Sequence, residues 1–219
     1  IVTNFNQLNT AFHVNAVLGI HRVSWSDIVK PDSTINTAGE GMATGIIRID
    51  KKLIIILDFE KIVSEINPET GLKVSDVEHM RNRSRNESPI LIAEDSALLS
   101  KMIVNCLEQA GYTNLITTDN GQECWDKLQE YLAEGDIDNK VSCIITDIEM
   151  PQMDGHRLTK LVKEHESLKH IPLIIFSSLV NAEMRRKGEQ LGADAQLSKP
   201  EIGQLVSAID KLIGNTTGE

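Results

Sequence analysis

The 219-residue chain is 41% hydrophobic and carries 32 Asp and Glu against 22 Lys and Arg, a formal net charge of −10. That length and apolar content suggest two domains with ordinary cores. No run approaches the roughly 18 apolar residues of a membrane span, no basic-then-apolar signal segment opens the chain, and there is no basic stripe to meet duplex phosphates, so membrane insertion and direct nucleic-acid binding are disfavoured.

Charge is placed unevenly. Residues 1–88 carry 10 Lys and Arg against 11 Asp and Glu, whereas residues 89–219 carry 12 against 21, which makes the C-terminal part the acidic one. Cys106, Cys124 and Cys143 are scattered in apolar patterns with no Cys-x-x-Cys pair, pointing to a reduced, cytoplasmic setting. The six histidines show no zinc-ligand spacing, and His156 reads, like the others, as a surface or turn residue.

Residues 1–66 read mainly as β structure. Ala11 to Val17 alternates Phe12 and Val14 with His13 and Asn15, as a half-buried antiparallel strand does. Trp25 and Asp27-Ile28-Val29 fall in a connection, with Trp25 as a core anchor. Ile46, Ile47 and Ile49 face Leu53 to Leu57 across Asp50-Lys51-Lys52, the composition of a hairpin. Asp58 is placed to cap a short helix in which Ile62, Val63 and Ile66 form one apolar stripe before Asn67-Pro68 ends it. So few strands do not close a β domain; an apolar edge should be exposed, and the chain, which opens at Ile1, reads as a fragment lacking an upstream part.

Asn67 to Ser88 is polar and mixed in charge and reads as a linker, with a short helix at Val74 to Met80. Its arginines Arg81, Arg83 and Arg85 read as a solvated run, the alternative being that they dock against the acidic region that follows.

From Pro89 onwards strands and helices alternate, the pattern of a parallel, doubly wound α/β sheet. Pro89 to Ala93 is an apolar strand. Ser96 caps a helix whose Leu98, Leu99, Met102, Ile103 and Leu107 form one stripe, and Gly111 ends it. Asn114 to Thr118 is the second strand, and a helix from Gly121 to Ala133 buries Trp125 and Leu128 before Gly135-Asp136 turns the chain back. Val141 to Ile145 is continuously apolar and β-branched, a strand covered on both faces and therefore central. His156 to His165 is helical with Leu158, Leu161 and Val162 inward; Ile171 to Phe176 is a strand; Ala182 to Leu191 is the most polar helix; Ala195 to Leu197 is a short strand; and Ile202, Leu205, Val206, Ile209 and Leu212 make the last helix amphipathic.

The chemistry gathers where these strands end. The central strand stops at Asp147, and the others run into Glu94-Asp95, Ser177-Ser178 and Ser198-Lys199-Pro200. As parallel neighbours they would bring their carboxyl ends, and hence these side chains, to one crevice. A lone strand-end Asp147 or loop Lys199 is an ordinary structural residue; the convergence is what points to function. Clustered carboxylates repel unless a cation sits among them, so Glu94, Asp95 and Asp147 argue for a divalent metal, and Mg²⁺ suits a few carboxylates with positions left for water and phosphate oxygens. Asp147 is then placed to attack phosphorus, with Lys199 neutralising the phosphoryl oxygens and the Ser177 hydroxyl donating to one of them. A cis Lys199-Pro200 bond would aim the ammonium inward.

The acids after the first strand, the DIEMPQMDG run at Asp147, the Ser177-Ser178 pair and the Ser198-Lys199-Pro200 run together resemble the receiver domain of two-component response regulators, over Ser88 to about Gly214. The resemblance implies a flavodoxin-like fold with five parallel strands. It also implies that Asp147 accepts a phosphoryl group from the phosphohistidine of a histidine kinase, and that Glu94, Asp95, Asp147 and the backbone carbonyl of Glu149 hold Mg²⁺, while Lys199 and Ser177 bind the phosphoryl group. Three departures stand out: Gln196 occupies the switch position where receivers usually carry Tyr or Phe, Glu149 lies near the approach of an attacking water, and Glu94 replaces the commoner Asp.

The order of elements in residues 1 to about 70 resembles the second half of a CheW-like coupling domain, one of the tandem β-barrel modules that bind chemoreceptors and their histidine kinase. The whole chain is thereby similar to the CheV-type chemotaxis proteins. The expected organisation is a partial all-β CheW-like domain at 1–66, a linker at 67–88, an α/β receiver at 89–214 and a tail at 215–219. The function it implies is a chemotaxis adaptor, a stoichiometric phosphoacceptor rather than an enzyme, with receptors and a histidine kinase as partners. The alternatives are a response regulator with a non-chemotaxis output, for which no recognition-helix pattern is present, and a metal-dependent aspartyl-phosphate phosphatase, which usually places a second Asp where this chain has Glu149.

Overall fold

The computed structural model describes residues 1–5, 8–24, 27–29, 42–49, 51–66, 83–199 and 201–214. Trp25, the helix expected at Val74 to Met80, the Lys199-Pro200 bond and the 215–219 tail lie outside the described residues. The chain divides into two compact units, Ile1–Gly71 and Leu72–Glu219.

In the first unit β1 (Val2–Phe5) pairs antiparallel with β2 (Leu8–Ala11), and β3 (Ala43–Ile49) pairs antiparallel with β4 (Lys52–Leu57). The second pair is the expected hairpin, tightened by one residue: Ile49 pairs with Lys52, so Lys52 belongs to the strand, and Lys51 takes the left-handed conformation (φ 68°) that a two-residue hairpin loop demands. Val29 adds an antiparallel bridge to Ile46, with both backbone hydrogen bonds at 2.9 Å. Asp58 caps α1 (Phe59–Ile66) through its carboxylate and the Lys61 N–H, 2.8 Å apart.

Two expectations fail in this unit. Only Ala11 of the Ala11–Val17 stretch lies in a strand. Alternation over four residues is a weak signal without a paired neighbour, and Phe12 instead sets its ring edge-on to Phe59 at 4.8 Å while Val17 is left exposed. Ile66 is exposed too, because it falls in the last turn of α1, so the stripe reduces to half-buried Ile62 and buried Val63. On β4, Leu53, Ile54, Ile55 and Leu57 are exposed, the uncovered apolar edge expected of so few strands.

The second unit is a five-stranded parallel sheet of order β6-β5-β7-β8-β9, built from β5 (Ile90–Ala93), β6 (Leu115–Thr118), β7 (Cys143–Thr146), β8 (Leu173–Ser177) and β9 (Ala195–Ser198). Every residue of β5, β7 and β8 is buried, which is why these segments read as unbroken apolar runs instead of alternating ones. Ile90 and Ile92 of β5 face a core completed by α2 (Ala97–Gln109) and α7 (Ile202–Leu212), through Ile103, Leu107, Leu205 and Ile209. Leu91 and Ala93 face the opposite core, shared with α3 (Gly121–Glu134) and α5 (Gly155–Glu164) through Cys124, Leu128, Leu158 and Val162. Truncating one such residue, for example Ile92→Ala, removes about 2–5 kcal/mol.

Side-chain caps start the helices where the sequence places them. Ser96 accepts from Leu99 N–H, Asn120 from Glu123 N–H, Asp154 from Arg157 N–H and, at the head of α6 (Ala182–Gln190), Asn181 from Met184 N–H. A further helical turn, α4 (Ile137–Lys140), was not expected; four residues carry no periodicity to read. Leu98 is 48% exposed because it lies in the first turn of α2, and Trp125 is half-buried, set edge-on to His165. The three cysteines are buried and free.

Residues 83–88 pack on this unit. Asn86 forms a parallel bridge with Tyr112, and Arg83 pairs with Asp210 of α7 at 2.6 Å, the carboxylate that also accepts the Tyr112 hydroxyl. At Arg83, therefore, the arginine run is docked against the acidic region.

Candidate phosphoacceptor site

Chain order and strand order part company at β5. From it the chain steps to β6 on one side and then to β7 on the other, which opens a crevice at the carboxyl ends of β5 and β7. Ala93 and Thr146, the last residues of those strands, are paired, so the residues that follow them are Glu94 and Asp147, side by side. Backbone hydrogen bonds hold both in line: Asp147 N–H donates to the Ala93 carbonyl at 3.0 Å and Glu94 N–H to the Thr118 carbonyl at 3.1 Å.

Lys199 follows β9, and its N–H is fixed to the Ser177 carbonyl at 3.2 Å. Its ammonium lies 2.8 Å from Asp147 Oδ2 and 3.0 Å from Glu94 Oε2, with all three side chains at most 6% exposed. The remaining carboxylate oxygens are also engaged: Asp147 Oδ1 accepts the Ile148 N–H at 2.6 Å, and Glu94 Oε1 accepts the Ser96 N–H at 3.2 Å. Asp95 is half-buried, and Glu94, Asp95 and Asp147 each offer a carboxylate oxygen within 4.8 Å of the others.

At that spacing two ionised carboxylates repel by about 3.5 kcal/mol for an effective dielectric constant of about 20. Among the described residues, the printed contacts set one ammonium against three acids, which leaves the cluster short of positive charge. A hard divalent cation with oxygen ligands supplies the deficit, so the donor set fits Mg²⁺.

Glu149, two residues beyond Asp147, is solvent-exposed in the connection to α5. Its carboxyl is pushed above the ordinary range, first by partial desolvation and then by the charge of Asp147, with Lys199 opposing. Ser177 is buried and its Oγ accepts the Leu179 N–H at 3.3 Å, while the neighbouring Ser178 Oγ is buried without a partner. Gln196 stands apart from the acids, turned toward Arg185 of α6.

Several contributors act through the backbone, in ways the sequence does not show. The Ile148 N–H that orients Asp147 is backbone. Gly155 is needed because a Cβ there would fall 1.8 Å from the Asp147 carbonyl oxygen, and the Gly155 N–H donates to Ile148 at 2.9 Å. Gly121 braces the same loop from α3, its N–H donating to the Met153 carbonyl at 3.2 Å where a Cβ would lie 2.5 Å from that oxygen. This close approach also draws in the first turn of α5. His156, expected at the surface, is 3% exposed, and burial holds its imidazole below the ordinary value.

Residues 90–210 match the model of the response regulator receiver domain. The chain belongs to the response regulator receiver family. Ahead of the receiver, residues 1–67 match the CheW-like domain model. Chemotaxis protein CheV3 of Helicobacter pylori is 28% identical across 97% of this chain and 68% of its own length, and CheV2 of the same organism is 30% identical across 97% and 66%. The chain thus spans about two thirds of the length of these relatives, and its pairing of domains is CheV-like. Among solved structures, the signal receiver domain of a histidine kinase from Syntrophus aciditrophicus is 28% identical, with a TM-score of 0.51 over 60% of this chain and 94% of that one. No helix among the described residues is long and apolar enough to cross a membrane.

Proposed function

We propose that this receiver accepts a phosphoryl group on Asp147 from the phosphohistidine of a chemotaxis histidine kinase, and that the change it undergoes tunes how residues 1–66, as part of a CheW-like domain, couple that kinase to chemoreceptors in the cytoplasm. Residues 67–88 join that domain to a receiver spanning 89–214. The carrying observation is the buried Asp147–Lys199–Glu94 cluster in the crevice beside β7.

In the transfer, a carboxylate oxygen of Asp147 forms a bond to phosphorus as the phosphorus–nitrogen bond to histidine breaks, and the electron pair of that bond remains on the imidazole, which takes up a proton. Lys199 is held where its ammonium can pass from Asp147 Oδ2 to a phosphoryl oxygen, keeping one charge pair throughout. The Ser177 hydroxyl, whose oxygen already caps the Leu179 N–H, keeps its proton free to donate. Glu94, Asp95, Asp147 and the Glu149 carbonyl would hold Mg²⁺, which offsets charge on the phosphoryl oxygens. With the carboxylate itself consumed as acceptor, one phosphate per chain is expected, not turnover.

The test uses the isolated histidine-containing domain of a chemotaxis kinase carrying labelled phosphohistidine, mixed with this chain and Mg²⁺. Label should pass from an acid-labile, base-stable form to a base-labile form on the chain, and Asp147→Asn should receive none. Label remaining on histidine, or equal transfer to the variant, contradicts the proposal.

A further inference from the structure

The chain enters the receiver along residues 83–88, at the end of β5 opposite the acceptor. Ile90 pairs with Leu115 and Asn86 bridges to Tyr112, so the β5–β6 pairing continues beyond the strand with one extra residue on the β5 side. Asn86 N–H donates to the Gly111 carbonyl at 2.9 Å, and Thr113 N–H donates to the Asn86 carbonyl at 3.0 Å. Gly111, at φ 97°, permits this approach, because a Cβ there would fall 2.8 Å from the Ser84 carbonyl oxygen.

At its outer end the segment is held by charge. The Arg83 guanidinium lies 2.6 Å from Asp210 of α7, with the two side chains 22% and 20% exposed. Arg85, two residues on, is exposed. Asp210 is itself held in place: it accepts the hydroxyl of Tyr112, which is 1% exposed and shares a core with Ile90, Leu107 and Ile209. Arg83 thereby ties the entry of the chain to the last helix of the receiver.

The balance of these forces is uneven. Backbone hydrogen bonds of a short segment gain little over the bonds it would make to water, so they do not by themselves keep residues 83–88 down. A partly buried ion pair tips that balance, and it weakens as salt shortens the range of the attraction. Two states follow, fastened and free. They differ in the length of chain available between the domains by residues 83–88, about 20 Å at roughly 3.3–3.6 Å per residue.

We infer that residues 83–88 are a strap fastened to the receiver by the Arg83–Asp210 pair, so that the tether to the CheW-like domain ends at Arg83 and lengthens when salt opens the pair. The strap does not depend on Asp147 accepting phosphate, and its test leaves the proposed function standing whichever way it falls.

The full chain is examined at low salt by hydrogen exchange and by trypsin, scoring the fragment that begins at Asn86. Arg83→Met and Asp210→Asn remove the pair from opposite sides while keeping the cleavage site at Arg85. Each should speed exchange of the Asn86 and Thr113 amides and cleavage after Arg85 by roughly fivefold, with β5 and β7 amides unchanged. The double variant should exceed Asp210→Asn alone by little, since the pair is already lost. Raising salt to about 1 M should bring wild type toward the variants and leave the variants nearly unmoved. Unchanged exchange and cleavage in both single variants overturn the strap, and so does equal acceleration throughout β5, which would mean general loss of stability. Wild type indifferent to salt overturns its control by charge. If Asp210→Asn, which also deprives Tyr112 of its acceptor, does not fold, Arg83→Met decides.

Discussion

The Lys199 ammonium sits 2.8 Å from Asp147 Oδ2 while also bridging to Glu94, so the most buried charge pairs among the described residues are already closed before any phosphoryl group arrives. Removing it with Lys199→Met strands buried carboxylates and should lower stability by about 3–5 kcal/mol in metal-free buffer. Mg²⁺ should then stabilise the variant more than wild type. Urea unfolding with chelator and with Mg²⁺ checks this; equal gains would show that ammonium and metal do not answer the same charge.

Mg²⁺ itself should raise the unfolding midpoint of the wild-type receiver, through a stabilisation that grows to about 2.7 kcal/mol at a hundredfold excess over its dissociation constant. Glu94→Gln and Asp95→Asn should lose most of that gain. Glu149→Gln should keep it, because the contribution proposed for Glu149 is its backbone carbonyl. Thermal scans at graded Mg²⁺ distinguish these outcomes.

Two glycines should respond to alanine to different degrees. Gly155→Ala places a Cβ 1.8 Å from the Asp147 carbonyl oxygen and should destabilise by about 3 kcal/mol or more while disturbing phosphate uptake. Gly135→Ala meets nothing within 4 Å, and its backbone at φ 76°, ψ 169°, a region nearly confined to glycine, sets a smaller loss of about 1–3 kcal/mol with uptake unchanged.

His156 gives the receiver an acid-side weakness. Desolvation first, then the charge of Lys187, depress its folded pKa below the ordinary 6.5, with Asp154 and the Met184 backbone bond opposing. The unfolded chain therefore takes up the proton first. Stability is complete above pH 6.5 and falls as pH drops toward the folded value, by up to about 1.4 kcal/mol per pH unit. His156→Leu should flatten this part of the urea-midpoint profile between pH 7 and 5, and an unchanged slope would remove His156 as its source.

The strands were legible because β5, β7 and β8 are covered on both faces, which forces unbroken apolar runs, and Glu94, Asp95, Asp147 and Lys199 were legible because each follows the carboxyl end of a parallel strand. What escaped depends on tertiary approach. His156 is buried only because Gly155 lets α5 come against Asp147, and the partner of Gln196 is a backbone carbonyl reached over Gly188. Helix ends misled as well. Leu98 and Ile66 keep helical spacing but lie in terminal turns, where the stripe runs past the core and leaves them exposed.

The most direct measurement is intact mass after incubation with Mg²⁺ and acetyl phosphate, comparing wild type with Asp147→Asn. One base-labile phosphate per wild-type chain and none on the variant is the predicted result. No uptake by wild type, or equal uptake by both, would contradict the assignment of Asp147 as the phosphoacceptor.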